Sequence, residues 1–109
     1  MTFPPESVFS LGVITTTSGA LVPIDGNVSA TYADLFARVV VIRALSTNTN
    51  DVYVGKTGFV KATGVGVYTD LQPAESVMFS AAAGCTLRVG DFYVDVTTNG
   101  EGVRAFVMI

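Results

Sequence analysis

Apolar and polar positions alternate along much of the chain, and where alternation stops the apolar runs are short and bounded by turn residues. Both patterns belong to strands. VFSLGVIT at Val8–Thr15, between Pro4-Pro5 and Ser18-Gly19, predicts a first strand. A short second strand over 20–24 ends at Asp25-Gly26-Asn27, a strong turn signal. Residues 38–46 read as a long buried strand closed by Thr47-Asn48-Thr49-Asn50, where Asn and Thr bond their own backbone in turns. Residues 51–55 (DVYVG) place Val52 and Val54 on one face; Lys56-Thr57-Gly58 then turns the chain, and 59–62 and 65–68 are further short strands. Pro73, which removes a ladder donor, sits in a loop before the SVMFS strand of Ser76–Ser80, and 81–84 is a small-residue connection.

The segment 91–97 (DFYVDVT) alternates cleanly, which turns Phe92, Val94 and Val96 inward and Tyr93, Asp95 and Thr97 outward. Asn99-Gly100 is the strongest hairpin signal in the chain, and 102–109 (GVRAFVMI) closes the domain. The segments starting at Asp51 (DVYV) and Asp91 (DFYV) echo each other, as two similarly placed strands would. One stretch carries helical spacing: over 29–37 (SATYADLFA), Ser29 can cap a turn or two, with Tyr32 and Phe36 at i, i+4. About eight strands at this spacing predict an all-β fold: one β-sandwich or jelly-roll-like domain over 8–109, at most one short helix, preceded by an N-terminal arm over 1–7.

Composition sharpens the picture. The chain has 109 residues, half of them apolar and only 14% charged, against about 25% charged in an average soluble domain. No apolar run approaches the roughly 18 residues of a membrane span; Val39-Val40-Val41-Ile42 stops at Arg43. The start, MTFPPESVFS, lacks the basic and long apolar regions of a signal peptide. The apolar surplus therefore points to surface covered by other proteins, whose interface centres are poor in charge. Net charge is −3 and the six basic residues are scattered, so phosphate neutralisation and nucleic-acid binding are not expected.

Candidate chemistry is thin. Gly55-Lys56-Thr57 copies the end of a phosphate-binding loop, but the glycine that motif needs falls on Asn50, and a β-like Gly58-Phe59-Val60 stands where a helix must begin. The turn reading is preferred: its glycines allow positive φ and Lys56 keeps the tip soluble. The chain has no histidine, so the single cysteine, Cys85, has no Cys–His partner and reads as a small buried hydrophobe. The carboxylates sit mostly beside Gly, Asn, Thr or Pro, where they shape turns. Asp91 and Asp95 are expected on an outer face with Tyr93, and no dense acidic run suits calcium. Neither an enzyme, a cofactor nor a metal is expected. Tyr32, Tyr53, Tyr68 and Tyr93 are the candidates for an exposed aromatic platform of the kind that binds sugars, against the commoner role of sheet packing with the hydroxyl at the rim.

The last strand is apolar on both faces: Val103, Ala105, Val107 and Ile109 on one, Arg104, Phe106 and Met108 on the other. Such a terminus is either a central strand or pressed against a neighbouring subunit. Met1 to Pro5 is apolar and stiffened by two prolines, and reads equally as an arm laid over a partner or as a disordered end. The candidate partner interface is therefore Phe3, Pro4, Pro5, Arg104, Phe106, Met108 and Ile109.

Residues 43–55 (RALSTNTNDVYVG) resemble a recurrent segment of small tailed-bacteriophage virion proteins, in which a buried strand leads through an Asn/Thr turn to VYVG. Gly58 and Gly64 follow, then LQPAESV at 71–77, then Asp91 to Val94 and Gly100 to Val103 in the matching order. Ala74 stands where that pattern usually has glycine. The likeness covers roughly 38–109. It implies a head decoration or cement protein: a small β-sandwich made in the host bacterial cytoplasm, placed on the capsid exterior, binding the major capsid protein and itself as a homotrimer or homodimer. The competing readings are a receptor- or carbohydrate-binding module of a fibre or tail tip, and another virion component such as a connector or baseplate piece.

Overall fold

The computed structural model describes residues 8–32 and 34–109. They form ten strands: Val8–Thr15 (β1), Val22–Pro23 (β2), Phe36–Ala37 (β3), Val39–Ala44 (β4), Val52–Val60 (β5), Val65–Leu71 (β6), Ser76–Ser80 (β7), Leu87–Arg88 (β8), Tyr93–Val96 (β9) and Gly102–Met108 (β10). A first four-stranded sheet has the order β1-β10-β4-β7, a second has β2-β9-β5-β6, and β3 pairs with β8. All pairings are antiparallel. The chain passes between the two four-stranded sheets six times: from β1 to β2, from β2 through β3 to β4, from β4 to β5, from β6 to β7, from β7 through β8 to β9, and from β9 to β10. Two facing four-stranded sheets joined in this way are an all-β sandwich with jelly-roll strand order.

The core lies between the sheets. Val40, Ile42 and Ala44 of β4 and Val103, Ala105 and Val107 of β10 face Val52 and Val54 of β5 and Val94 and Val96 of β9, all fully buried. Each buried valine is worth roughly 1.5–3 kcal/mol relative to an exposed one. On β5 and β9 the period-2 pattern fixes this register, because a one-residue slip would turn Val52, Val54, Val94 and Val96 to water. The DVYV and DFYV echo has a structural counterpart: β5 and β9 are direct neighbours, with Val52 opposite Val96 and Val54 opposite Val94.

Four local expectations are corrected. Over 29–37 the described residues form no helix. Two turns stand there instead, with Ser29 N donating to Asp25 O (2.8 Å) and Tyr32 N to Val28 O (2.8 Å). The Tyr32–Phe36 spacing is dissolved by tertiary partners: Tyr32 meets Phe9 edge-on at 5.1 Å, and Phe36 pairs in register with Arg88. The chain reverses at 61–64 rather than at Lys56-Thr57-Gly58, which lies inside β5. Between the pairs Gly55–Val67 and Val60–Val65, four residues of β5 bulge opposite Gly66 alone. Asn99-Gly100 makes no two-residue hairpin, because β9 and β10 belong to different sheets; its turn joins them, with Gly100 at φ 84°. Asp95 does not face water but is 2% exposed.

Candidate functional site

The two outer faces of the sandwich differ. On the second sheet the chain covers part of its own surface, leaving Val60, Val65 and Tyr68 exposed on β5 and β6. The β5 bulge folds Phe59 back over Gly55 and Gly66, where an added Cβ at Gly66 would sit 3.1 Å from Phe59 Cβ, and Phe59 is 3% exposed although it lies outside the main cluster between the sheets. Beside it Lys61 Nζ donates to Ser18 Oγ and Val96 O (both 2.6 Å) and lies 3.5 Å from Asp95 Oδ2. Asp95 Oδ1 accepts from the backbone N–H of Gly19 (2.9 Å) and Val96 (2.8 Å). The carboxylate thus clasps the β1–β2 connection onto β9, which is why an aspartate at a nominally outward position is buried.

The outer face of the first sheet has no such cover among the described residues. Its cross-strand rows follow from the register. Val13, Arg104, Arg43 and Ser76 form one row, and Ser10, Phe106, Val41 and Met78 the next; Met108, Val39 and Ser80 continue it. Met78 is 63% and Val13 42% exposed, with Val39, Val41, Phe106 and Met108 half-buried against one another. This is one apolar surface with two cations at its end. Arg104 and Arg43 are directly paired across the strands, an arrangement that like charges disfavour. Arg43 Nε donates to Ala74 O at 3.2 Å, and neither arginine forms an ion pair among the described residues. Beside them opens a hollow of about 190 Å³ lined also by Ala44, Leu45 and Ser46.

The structure therefore gathers Arg104, Phe106 and Met108 of the expected interface on one face, with the exposed Ile109 following at the strand's end. Phe3, Pro4 and Pro5 lie outside the described residues. β10 is a central strand flanked by β1 and β4, which accounts for its inner face; its outer face is what stays apolar and uncovered. Sequence reading missed Val13, Val39, Val41 and Met78. The sequence shows that these positions are apolar, but their place beside Phe106 and Met108 follows only from the register.

The other candidates disperse. Cys85 is exposed, not buried, in the 81–85 connection. The tyrosines form no common platform: Tyr32 packs on Phe9, Tyr68 on Phe79 and Phe92 (both 5.8 Å), and Tyr53 and Tyr93 are half-buried on the second sheet. Lys56 and Thr57 are exposed on the bulge with no helix behind them. Among the described residues no three His, Cys, Asp or Glu side chains are placed to hold a metal, and no helix is long and apolar enough to cross a membrane. Compared with known proteins, the chain matches no family model, no curated protein and no solved structure.

Proposed function

We propose that the chain is a structural protein of a bacteriophage particle, a head decoration or cement protein that binds the assembled capsid lattice and stabilises it. The observation that carries this reading is the outer face of the first sheet: Val13, Val39, Val41, Met78, Phe106 and Met108 in continuous rows, ending in Arg43 and Arg104. A contiguous apolar face of this kind marks a protein partner. The resemblance of 38–109 to small virion proteins supplies the kind of partner. A capsid site that fits would offer an apolar patch flanked by carboxylates, which would pair with the two arginines.

The mechanism is mass action. A protein that binds the closed shell and not its opened form stabilises the shell, by about 2.7 kcal/mol per site at a hundredfold excess over Kd. The test is heat-induced genome release from heads that lack the protein, with and without its addition. Added wild-type chain is expected to raise the release temperature, and Arg104→Glu or Phe106→Asp to remove most of that rise. An unchanged release temperature with bound or added wild-type chain would refute the reading. Labelling the chain on intact particles separates a place on the head from one in a connector, tail tip or baseplate.

A further inference from the structure

A sandwich of this type has four sheet edges, and three of them are blunted. β1 carries a register shift between Ser10 and Gly12, and Asn27 Nδ2 donates to Leu11 O (3.1 Å) and Val13 O (2.9 Å). The side chain thereby occupies carbonyls that an added strand would need. β2 is two residues long and one of them is Pro23. β6 carries the Gly66 distortion and Asp70. Bulges, brevity, proline and charge are the devices by which edges avoid pairing.

β7, Ser-Val-Met-Phe-Ser, has none of them. Its side chains are uncharged, and its ladder to β4 runs without a break from Ser80–Val39 to Ser76–Arg43. The flanking bonds Ala44 N to Glu75 O and Ala81 N to Arg38 O (both 2.8 Å) set the phase of that ladder. Bonded pairs alternate along an antiparallel ladder, so Val77 and Phe79 point their N–H and C=O groups at β4. Ser76, Met78 and Ser80 point theirs away from the sheet, and no hydrogen bond among the described residues takes them.

We infer that β7 pairs antiparallel with β7 of a second copy, about a two-fold axis at Met78, joining two four-stranded sheets into one of eight. The strand is complementary to itself in this register. Met78 meets Met78, Ser76 meets Ser80, and Val77 meets Phe79. Each outward-pointing residue meets another outward-pointing residue, so all six free N–H and C=O groups of each copy find partners. Phe79 and Val77 form cross-strand aromatic–aliphatic pairs of the favourable kind at the mouth of a groove of about 400 Å³ lined by Tyr68, Leu87 and Phe92. No like charges oppose each other, which is what a two-fold contact requires of its own surface. The inference stands without the virion reading, since it uses only the edge and its sequence.

The test measures sedimentation of the full chain with Cys85→Ser, because Cys85 is exposed and would crosslink copies by itself. A species of twice 11.4 kDa is expected. Met78→Pro removes only an outward N–H, which an edge strand tolerates, and should give a folded monomer with unchanged circular dichroism. Should that variant not fold, Met78→Lys decides: two ammonium groups at the axis should raise the dissociation constant by at least about tenfold. Register is read by oxidation. Met78→Cys should crosslink, since bonded pairs stand about 5.5 Å apart at Cα, within disulfide reach. Ser76→Cys alone should not. A wild-type monomer at millimolar concentration, or a dimer that Met78→Lys leaves intact, would overturn the inference.

Discussion

At the scale of single residues, the junction between β4, β10 and the intervening turns rests on Asn48, Glu101 and Gly102. Asn48 is buried and uses its amide as a strand would use its backbone: Nδ2 donates to Gly102 O (2.8 Å) and Oδ1 accepts from Gly102 N (3.3 Å). Asn48→Ala leaves the buried Gly102 N–H unpaired, while Gly102 O keeps the bond from Leu45 N (3.1 Å), and is expected to cost about 2 kcal/mol in urea denaturation. Asn48→Asp should also be destabilising, because a carboxylate cannot donate. Gly102 has no room for a side chain, since a Cβ there would collide with Ile14 O. Gly102→Ala is expected to cost about 3 kcal/mol, at the upper end for overpacking. Glu101 accepts from Thr49 N (2.6 Å), Thr49 Oγ1 (2.9 Å) and Asn50 N (3.2 Å). Desolvation pushes its carboxyl up, but these bonds together outweigh it and hold the group below the ordinary 4.5. A depressed carboxyl stabilises the fold above that ordinary value, and the contribution disappears as pH falls through the folded value. Asp51 acts in the opposite sense: its hydrogen bond with Asp70, then burial, then the charges of Asp70 and Glu75 raise it. The Glu101 contribution is therefore read as a difference. Glu101→Gln should lower the urea midpoint at neutral pH, and its gap from wild type should close as pH falls through 4.5 and then through the lower folded-state value.

At the scale of elements, β5 shows how a local pattern is bent to a global end. Its GKTG segment is rich in turn residues, and it bulges to carry Phe59 back over Gly55 and Gly66. Phe59→Ala is expected to cost about 3 kcal/mol in urea denaturation, while Lys56→Ala and Thr57→Ala, exposed at the tip, should be nearly silent in the same measurement. The strands themselves were legible because alternation is a local property: β1 and β7 fall where the apolar pattern places them. What was not legible depends on residues far apart in the chain. The Asn99-Gly100 signal describes a turn but not which sheet the next strand enters. Asp95 looks outward by parity, yet Lys61 and Gly19 arrive from other elements to bury it. The helical spacing of Tyr32 and Phe36 is weaker than the contacts each makes elsewhere. Of the candidate site, the alternation within β10 showed both faces apolar. Only the register against β4 and β7 shows that Val39, Val41 and Met78 extend the same surface, with Arg43 set beside Arg104.

At the scale of the whole molecule, the surplus of apolar residues divides into two kinds that composition cannot separate. One kind fills the space between the sheets. The other lies largely on the outer face of the first sheet, while part of the second sheet is shielded by Phe59, Lys61 and the β1–β2 connection and Val60, Val65 and Tyr68 stay exposed on β5 and β6. Adjacent positions on β10 belong to the two kinds, which permits a sharp comparison. Val107 is fully buried and Phe106 half-exposed. Val107→Asp places an unpaired carboxylate in the core, at a cost of several kcal/mol, comparable to the whole stability of a domain of this size. It is expected to prevent folding, as judged by the loss of dispersed amide signals. Phe106→Asp gives up only partial burial and brings a carboxylate beside Arg104 and Arg43. It should therefore retain the fold within about 1.5 kcal/mol while abolishing any association made through this face. If the two substitutions proved equally destabilising, the outer face would be part of the fold's own packing, and its apolar character would need no partner to explain it.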